Sequence, residues 1–181
     1  MSYGPEQHAA TFVGGAAGAW SVERIDAVVG EVLPAVPRLD RVDGHSMGVW
    51  ALRGVSGHGR YVTGAEKATL DAVSPPLGRP EATRAALIPI RKSARWWALP
   101  QDERRAILEE RSRHIADSVP YLPRVARRLY HARDLGEPFD FLTWFEFAPE
   151  HAPAFEVLVQ LLRAREEWTY VEREIDIRLF R

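Results

Sequence analysis

Three stretches of the sequence hold residue types that can do chemistry. They are Gly44-His45-Ser46-Met47-Gly48, the glycine-rich run Gly54–Gly59, and the segment 88–115 with Lys92, Trp96, Trp97 and His114. The first matches the spacing of a serine nucleophile elbow, which needs a strand before it and a helix after it. The residues that follow, "VWALRGV", read as a strand, so Ser46 is expected in a turn. The second run lies within a hairpin pattern and opens no helix, so it does not make a phosphate cradle. The sequence has no cysteine, which excludes disulfides, thiolate catalysis and cysteine metal sites. His45, His58, His131 and His151 lack the spacing of paired metal ligands, and most of them read as surface or loop residues.

His114 stands apart. Residues 101–118 read as one amphipathic helix, on which Ile107, His114 and Tyr121 recur every seven positions and drift only about 20° per step. Ser118 falls on the same side, and Pro120 and Pro123 end the helix. The imidazole is therefore expected to face a sheet, either as a hydrogen-bonded core histidine or as a metal ligand. Lys67 and Lys92 are the only lysines in an arginine-rich sequence. A lysine there suits a position that wants a point charge rather than a planar fork.

The elements that must position these residues follow from periodicity. Residues 9–20 read as a strand and 21–36 as a helix, with Ile25, Val28, Val29 and Val32 at helical spacing. "MGVWALRGV" and "GRYVTGA" read as a hairpin, "GAEKATLDAV" as a short helix, and 74–85 as a linker. "ALIPIRKS" reads as a strand, edge-like because of Pro89. After helix 101–118, the alternation in 122–132, the aromatic run 139–147, a helix around Phe155, Leu158, Val159 and Leu162, and the alternation in 170–180 complete a β-α-β-β-α-β order. This predicts an α+β fold in which residues 76–181 form one ferredoxin-like half and residues 1–75 a shortened version of it.

Composition narrows the class. Hydrophobic residues make up 46% and charged residues 27%, the balance of a globular chain with a sizeable core. A net charge of -1 gives no basic surplus for nucleic acid. No apolar run reaches the length of a bilayer span. The small apolar stretch 9–20 lacks a preceding basic segment, so a first strand is expected rather than a leader, with a cytoplasmic location as the default. Met1 and Met47 are the only methionines, so little sulfur is exposed to a strong oxidant.

The stretches "RPEATRAALIPIRKSARWWALPQDERRAILEERSRHI", "RRLYHARDLGEPFDFLTWFEFAPEH" and "LRAREEWTYVEREIDIRL" resemble the chlorite dismutase family of haem b proteins, in its short, dimeric branch. The likeness covers roughly residues 50–181. It implies two ferredoxin-like halves forming a dimeric α+β barrel, with haem b in the C-terminal half and a homodimer in solution. By the same resemblance, His114 is the proximal iron ligand, Glu167 accepts the hydrogen bond of its other nitrogen, and Lys92 completes that network. Arg127 is the distal arginine above the iron, and Trp97 and Tyr61 line the haem or its propionate edge.

The implied activity converts chlorite to chloride and dioxygen, with Arg127 retaining transient hypochlorite. Before "PPLGRP" this branch carries a glutamine that bonds the distal arginine. Ser74 stands there in this sequence, so Arg127 is expected to be less restrained. The nearest alternatives are a peroxidase or coprohaem decarboxylase of the same superfamily, or a haem sensor or carrier. Coprohaem decarboxylases lack the arginine at the position of Arg127.

Overall fold

A computed structural model describes residues 8–56 and 59–181; Gly57 and His58 of the glycine-rich run lie outside the described residues. Eight antiparallel strands close into a barrel: β1 (Ala9–Gly15), β2 (Trp20–Val29), β3 (Arg38–Val42), β4 (Trp50–Val55), β5 (Arg84–Lys92), β6 (Val125–His131), β7 (Phe141–Phe147) and β8 (Val171–Phe180). Around the barrel they run β1-β3-β2-β8-β5-β7-β6-β4. The first four and the last four strands repeat one spatial order, fourth-first-third-second. The helices are α1 (Gly64–Val73), α2 (Ala94–Ala98), α3 (Gln101–Arg105), α4 (His114–Ser118) and α5 (Ala152–Arg163). No helix among the described residues is long and apolar enough to cross a membrane.

The barrel interior is a packed core. Alternate residues point inward along each strand, bringing Phe12, Trp20, Leu87, Tyr130, Trp144 and Ile177 into one cluster. Phe12 meets Tyr130 edge-on at 5.3 Å, and Trp20 meets Trp144 edge-on at 5.6 Å. Gly54 is required here by close approach, because a Cβ at that position would stand 2.6 Å from the Tyr130 Cβ. The opposite parity of β5–β8 faces outward and is covered by the helices, with Phe145 and Phe147 packed on Phe155 of α5.

Four local expectations are corrected. Residues 20–29 form β2, not a helix. Bulges between Val22 and Arg24 and between Ala27 and Val29 break the alternation, so the inward positions Trp20, Val22 and Ile25 are unevenly spaced. The β-branched content of "VERIDAVV" suits a strand. The expected hairpin after residue 47 does not form; β4 pairs with β1 and touches β6, and residues 60–63 carry no strand. β5 is central rather than an edge, hydrogen-bonded to both β7 and β8. Pro89 is tolerated because the pairing with β8 runs from Leu87 to Ile90 and skips it.

The helix expected over 101–118 is interrupted. After α3 the chain makes a π-helical turn at Ala106–Arg111, and Arg113 adopts the left-handed region, φ 54°, before α4 begins at His114. A non-glycine residue in that region is strained and typical of a constrained site. The Glu109 carboxylate accepts from the backbone N–H groups of Ile115 (2.6 Å) and Ala116 (3.1 Å), which satisfies donors at the start of α4.

Candidate active site

Between the outer face of β5–β8 and the helical layer lies a cavity of roughly 1140 Å³, including its open mouth. Strand parity chooses the wall residues: Ile88, Ile90 and Lys92 from β5, Arg127, Leu129 and His131 from β6, Phe141, Thr143 and Phe145 from β7, and Glu174 from β8. α4 contributes His114 and Ser118, and α5 contributes Leu158 and Leu162. The walls are mostly apolar, so each charged group reaching them is conspicuous.

Three of the sequence-predicted residues form one chain of contacts. His114 Nδ1 lies 2.7 Å from Glu167 Oε2, and Lys92 Nζ donates to Glu167 Oε1 at 2.8 Å. Glu167 and Lys92 are almost completely buried, with side-chain exposures of 5% and 3%. Burial alone would raise the Glu167 pKa, but Lys92 and His114 outweigh it and hold the carboxyl at about 2. An ionised Glu167 can only accept, so Nδ1 carries the hydrogen of this bond and Nε2 is the ring nitrogen turned to other partners. Ser112 Oγ accepts from the Glu167 N–H at 3.0 Å, which fixes the backbone beneath the carboxylate. The Lys92 ammonium also sits over two indoles, 4.7 Å from the Trp96 ring centre and 5.3 Å from that of Trp168.

A register shift between Arg91 and Lys92 lets β5 present this lysine. Buried Asp140 accepts from the Lys92 N–H at 2.7 Å, from Trp97 Nε1 at 3.0 Å and from Arg133 at 3.2 Å. This places Trp97. Its ring stacks on Phe141, itself a cavity-lining residue, and lies 4.0 Å beneath the Arg133 guanidinium. Its neighbour Trp96, about 100° further round the helix, lines the cavity and is fully buried. Tyr61 lines the cavity as expected and receives a hydrogen bond from Arg104 at 3.2 Å.

On the strand wall, Arg127 lines the cavity and makes no hydrogen bond or ion pair among the described residues. Desolvation by burial lowers its pKa without a carboxylate to offset it. An uncompensated guanidinium in an apolar pocket is costly and calls for an anion. Ser74, the position expected to bear on Arg127, is exposed at the end of α1 and outside the cavity lining. His131, one of the four histidines without ligand spacing, most of which are expected at the surface or in loops, is buried, 6% exposed, and shares the cavity face with Arg127 and Leu129. Its even spacing from Arg127 on β6 was the available signal. Ser46 sits in the turn between β3 and β4 with no helix behind it, which removes the elbow reading.

The residues present fit a haem better than a bare ion. Among the described residues no three His, Cys, Asp or Glu side chains group together to hold a metal. His114, with its Nδ1 already bonded to Glu167, would be the residue that holds the iron of a haem. The mostly apolar walls suit the macrocycle.

The fold is an α+β barrel with a histidine-bearing cavity on its outer face. The family described as chlorite dismutase matches residues 33–179, and the chain belongs to that family. A crystal structure of dimeric chlorite dismutases from Nitrobacter winogradskyi is similar over 95% of this chain and 99% of that one, with 62% identity and a TM-score of 0.92. Chlorite dismutase from Candidatus Nitrospira defluvii in complex with imidazole is 30% identical, with a TM-score of 0.59, over 79% of this chain and 56% of that one. The curated chlorite dismutase of Ideonella dechloratans is 40% identical over 62 residues, a match that spans only 20% of that protein's length.

Proposed function

We propose that the protein is a haem b enzyme that converts chlorite to chloride and dioxygen and works as a homodimer. One observation carries the reading: a carboxylate-bonded imidazole and an unpaired guanidinium share one apolar cavity. The two repeated strand orders support ferredoxin-like halves meeting near residue 75, of which only the second holds the haem. The chemistry that haem would supply is oxygen-atom and electron transfer at iron.

The protein's own residues do the rest. His114 would hold the iron, and ionised Glu167 would make the imidazole a stronger donor, which favours oxidised iron. Lys92 offsets the buried negative charge, which would otherwise be costly. Arg127 would lower the cost of bringing the chlorite anion into the cavity and would hold an oxyanion there while the single oxygen–oxygen bond of dioxygen forms. The same guanidinium counts against a coprohaem decarboxylase. An oxygen electrode tests the reading: the haem-loaded protein evolves oxygen on addition of chlorite, whereas a Soret band with no oxygen would leave a haem sensor or carrier.

Replacing Glu167 with Gln is expected to raise the haem reduction potential, because a neutral partner leaves the histidine a weaker donor to ferric iron. Spectroelectrochemical titration measures this, and an unchanged potential would remove Glu167 as an electronic partner. Light scattering at micromolar concentration is expected to give a dimer mass, since Met47, Val49, Val32 and Val157 are large apolar residues left exposed on a single chain. A monomer mass would contradict it.

A further inference from the structure

Trp168 touches two members of the His114–Glu167–Lys92 chain, and its own anchor lies outside that chain. Its indole is nearly parallel to the His114 ring, 16° between planes and 6.2 Å between centres. Its face carries the Lys92 ammonium at 5.3 Å. Its Nε1 donates to Glu174 Oε2 at 2.6 Å. The other carboxylate oxygen of Glu174 accepts from Arg163, at the end of α5, at 2.8 Å from Nε. Glu174 is completely buried and lines the cavity.

A clamp between α5 and β8 does not require this arrangement. Arg163 already reaches Asp176 of β8 at 2.9 Å, and a buried carboxylate is costly unless each oxygen is satisfied. We infer that Glu174, with Arg163 behind it, is a positioning residue that fixes the Trp168 indole and, through it, the plane of the His114 imidazole and the seat of Lys92. The hydrogen bond to Glu167 holds the imidazole at one atom, and rotation about its Cβ–Cγ bond is otherwise soft. A flat indole alongside removes that freedom. The anionic acceptor also enriches the indole face in electron density, which strengthens its hold on the ammonium.

The inference rests on His114 as the iron ligand, and the test separates the two. Haem-loaded parent, Glu174→Gln, Trp168→Phe and the double variant are compared by the ferrous iron–histidine stretching band in resonance Raman and by the rate of haem transfer to excess apomyoglobin, with His114→Ala mixed with excess haem as the control for the band. Glu174→Gln keeps the side-chain shape without the charge, and Trp168→Phe keeps a flat ring without the N–H. Both single variants are expected to lose haem roughly 10-fold faster, the scale seen when an outer partner of a metal ligand is lost, and to broaden the band. The double variant should lose haem no faster than the faster single one, because the two residues act in series. A parent-like band and rate in Glu174→Gln, or effects that multiply in the double variant, overturns the inference alone. A parent-like band in His114→Ala overturns the ligand reading and this inference with it.

Discussion

The His114→Ala variant is expected to purify as a folded protein with almost no haem and no Soret band. Loss of an outer partner costs roughly 10- to 100-fold in metal affinity, and loss of the ligand itself should exceed that. The substitution leaves the barrel interior untouched, because His114 belongs to the helical layer and its contacts are Glu167 and Trp168. Haem titration followed by absorbance measures the effect. The sequence offers no second histidine on that helix face, but the structure places His131 on the strand wall of the same cavity. The comparison variant is therefore His131→Leu, which should take up haem like the parent. Parent-like uptake and ferric coordination in His114→Ala would remove His114 from the axial role.

Arg127→Ala is expected to keep haem and fail as a catalyst over time. The other side of the site, His114–Glu167–Lys92, is not in contact with the change. Without the guanidinium, the apolar walls oppose entry of an oxyanion and nothing retains hypochlorite. Total oxygen evolved before inactivation should fall several-fold, and inactivation should be faster. Added methionine, which consumes hypochlorite, should protect the variant more than the parent. Oxygen traces of equal slope and duration for the two proteins would make Arg127 a structural residue.

How far the sequence could be read depended on how regular each element is. β6, β7 and β8 were legible because their inward and outward residues alternate cleanly around the site, and α5 because Phe155, Leu158, Val159 and Leu162 are all buried. β2 was not, because two bulges turn a period of two into uneven steps that mimic a helix. His114 was found on the correct side for an incomplete reason: its seven-residue spacing from Ile107 assumed a straight helix, whereas a π-helical turn and the left-handed Arg113 intervene. The roles given to Lys92, Glu167 and Arg127 came from the family resemblance rather than from spacing. Asp140 and Glu174 were missed because their partners lie far along the chain or across the sheet, beyond any local pattern.

The two faces of the strands have one more consequence. β6 sends Tyr130 into the barrel and Leu129 and His131 to the cavity, so neighbouring residues answer to different demands. The interior cluster closes without any help from the cavity side, and the strands are hydrogen-bonded all the way round. The cavity is thus a socket on a finished scaffold. Residues facing the socket can therefore be exchanged while Phe12, Tyr130 and Trp144 keep the frame unchanged.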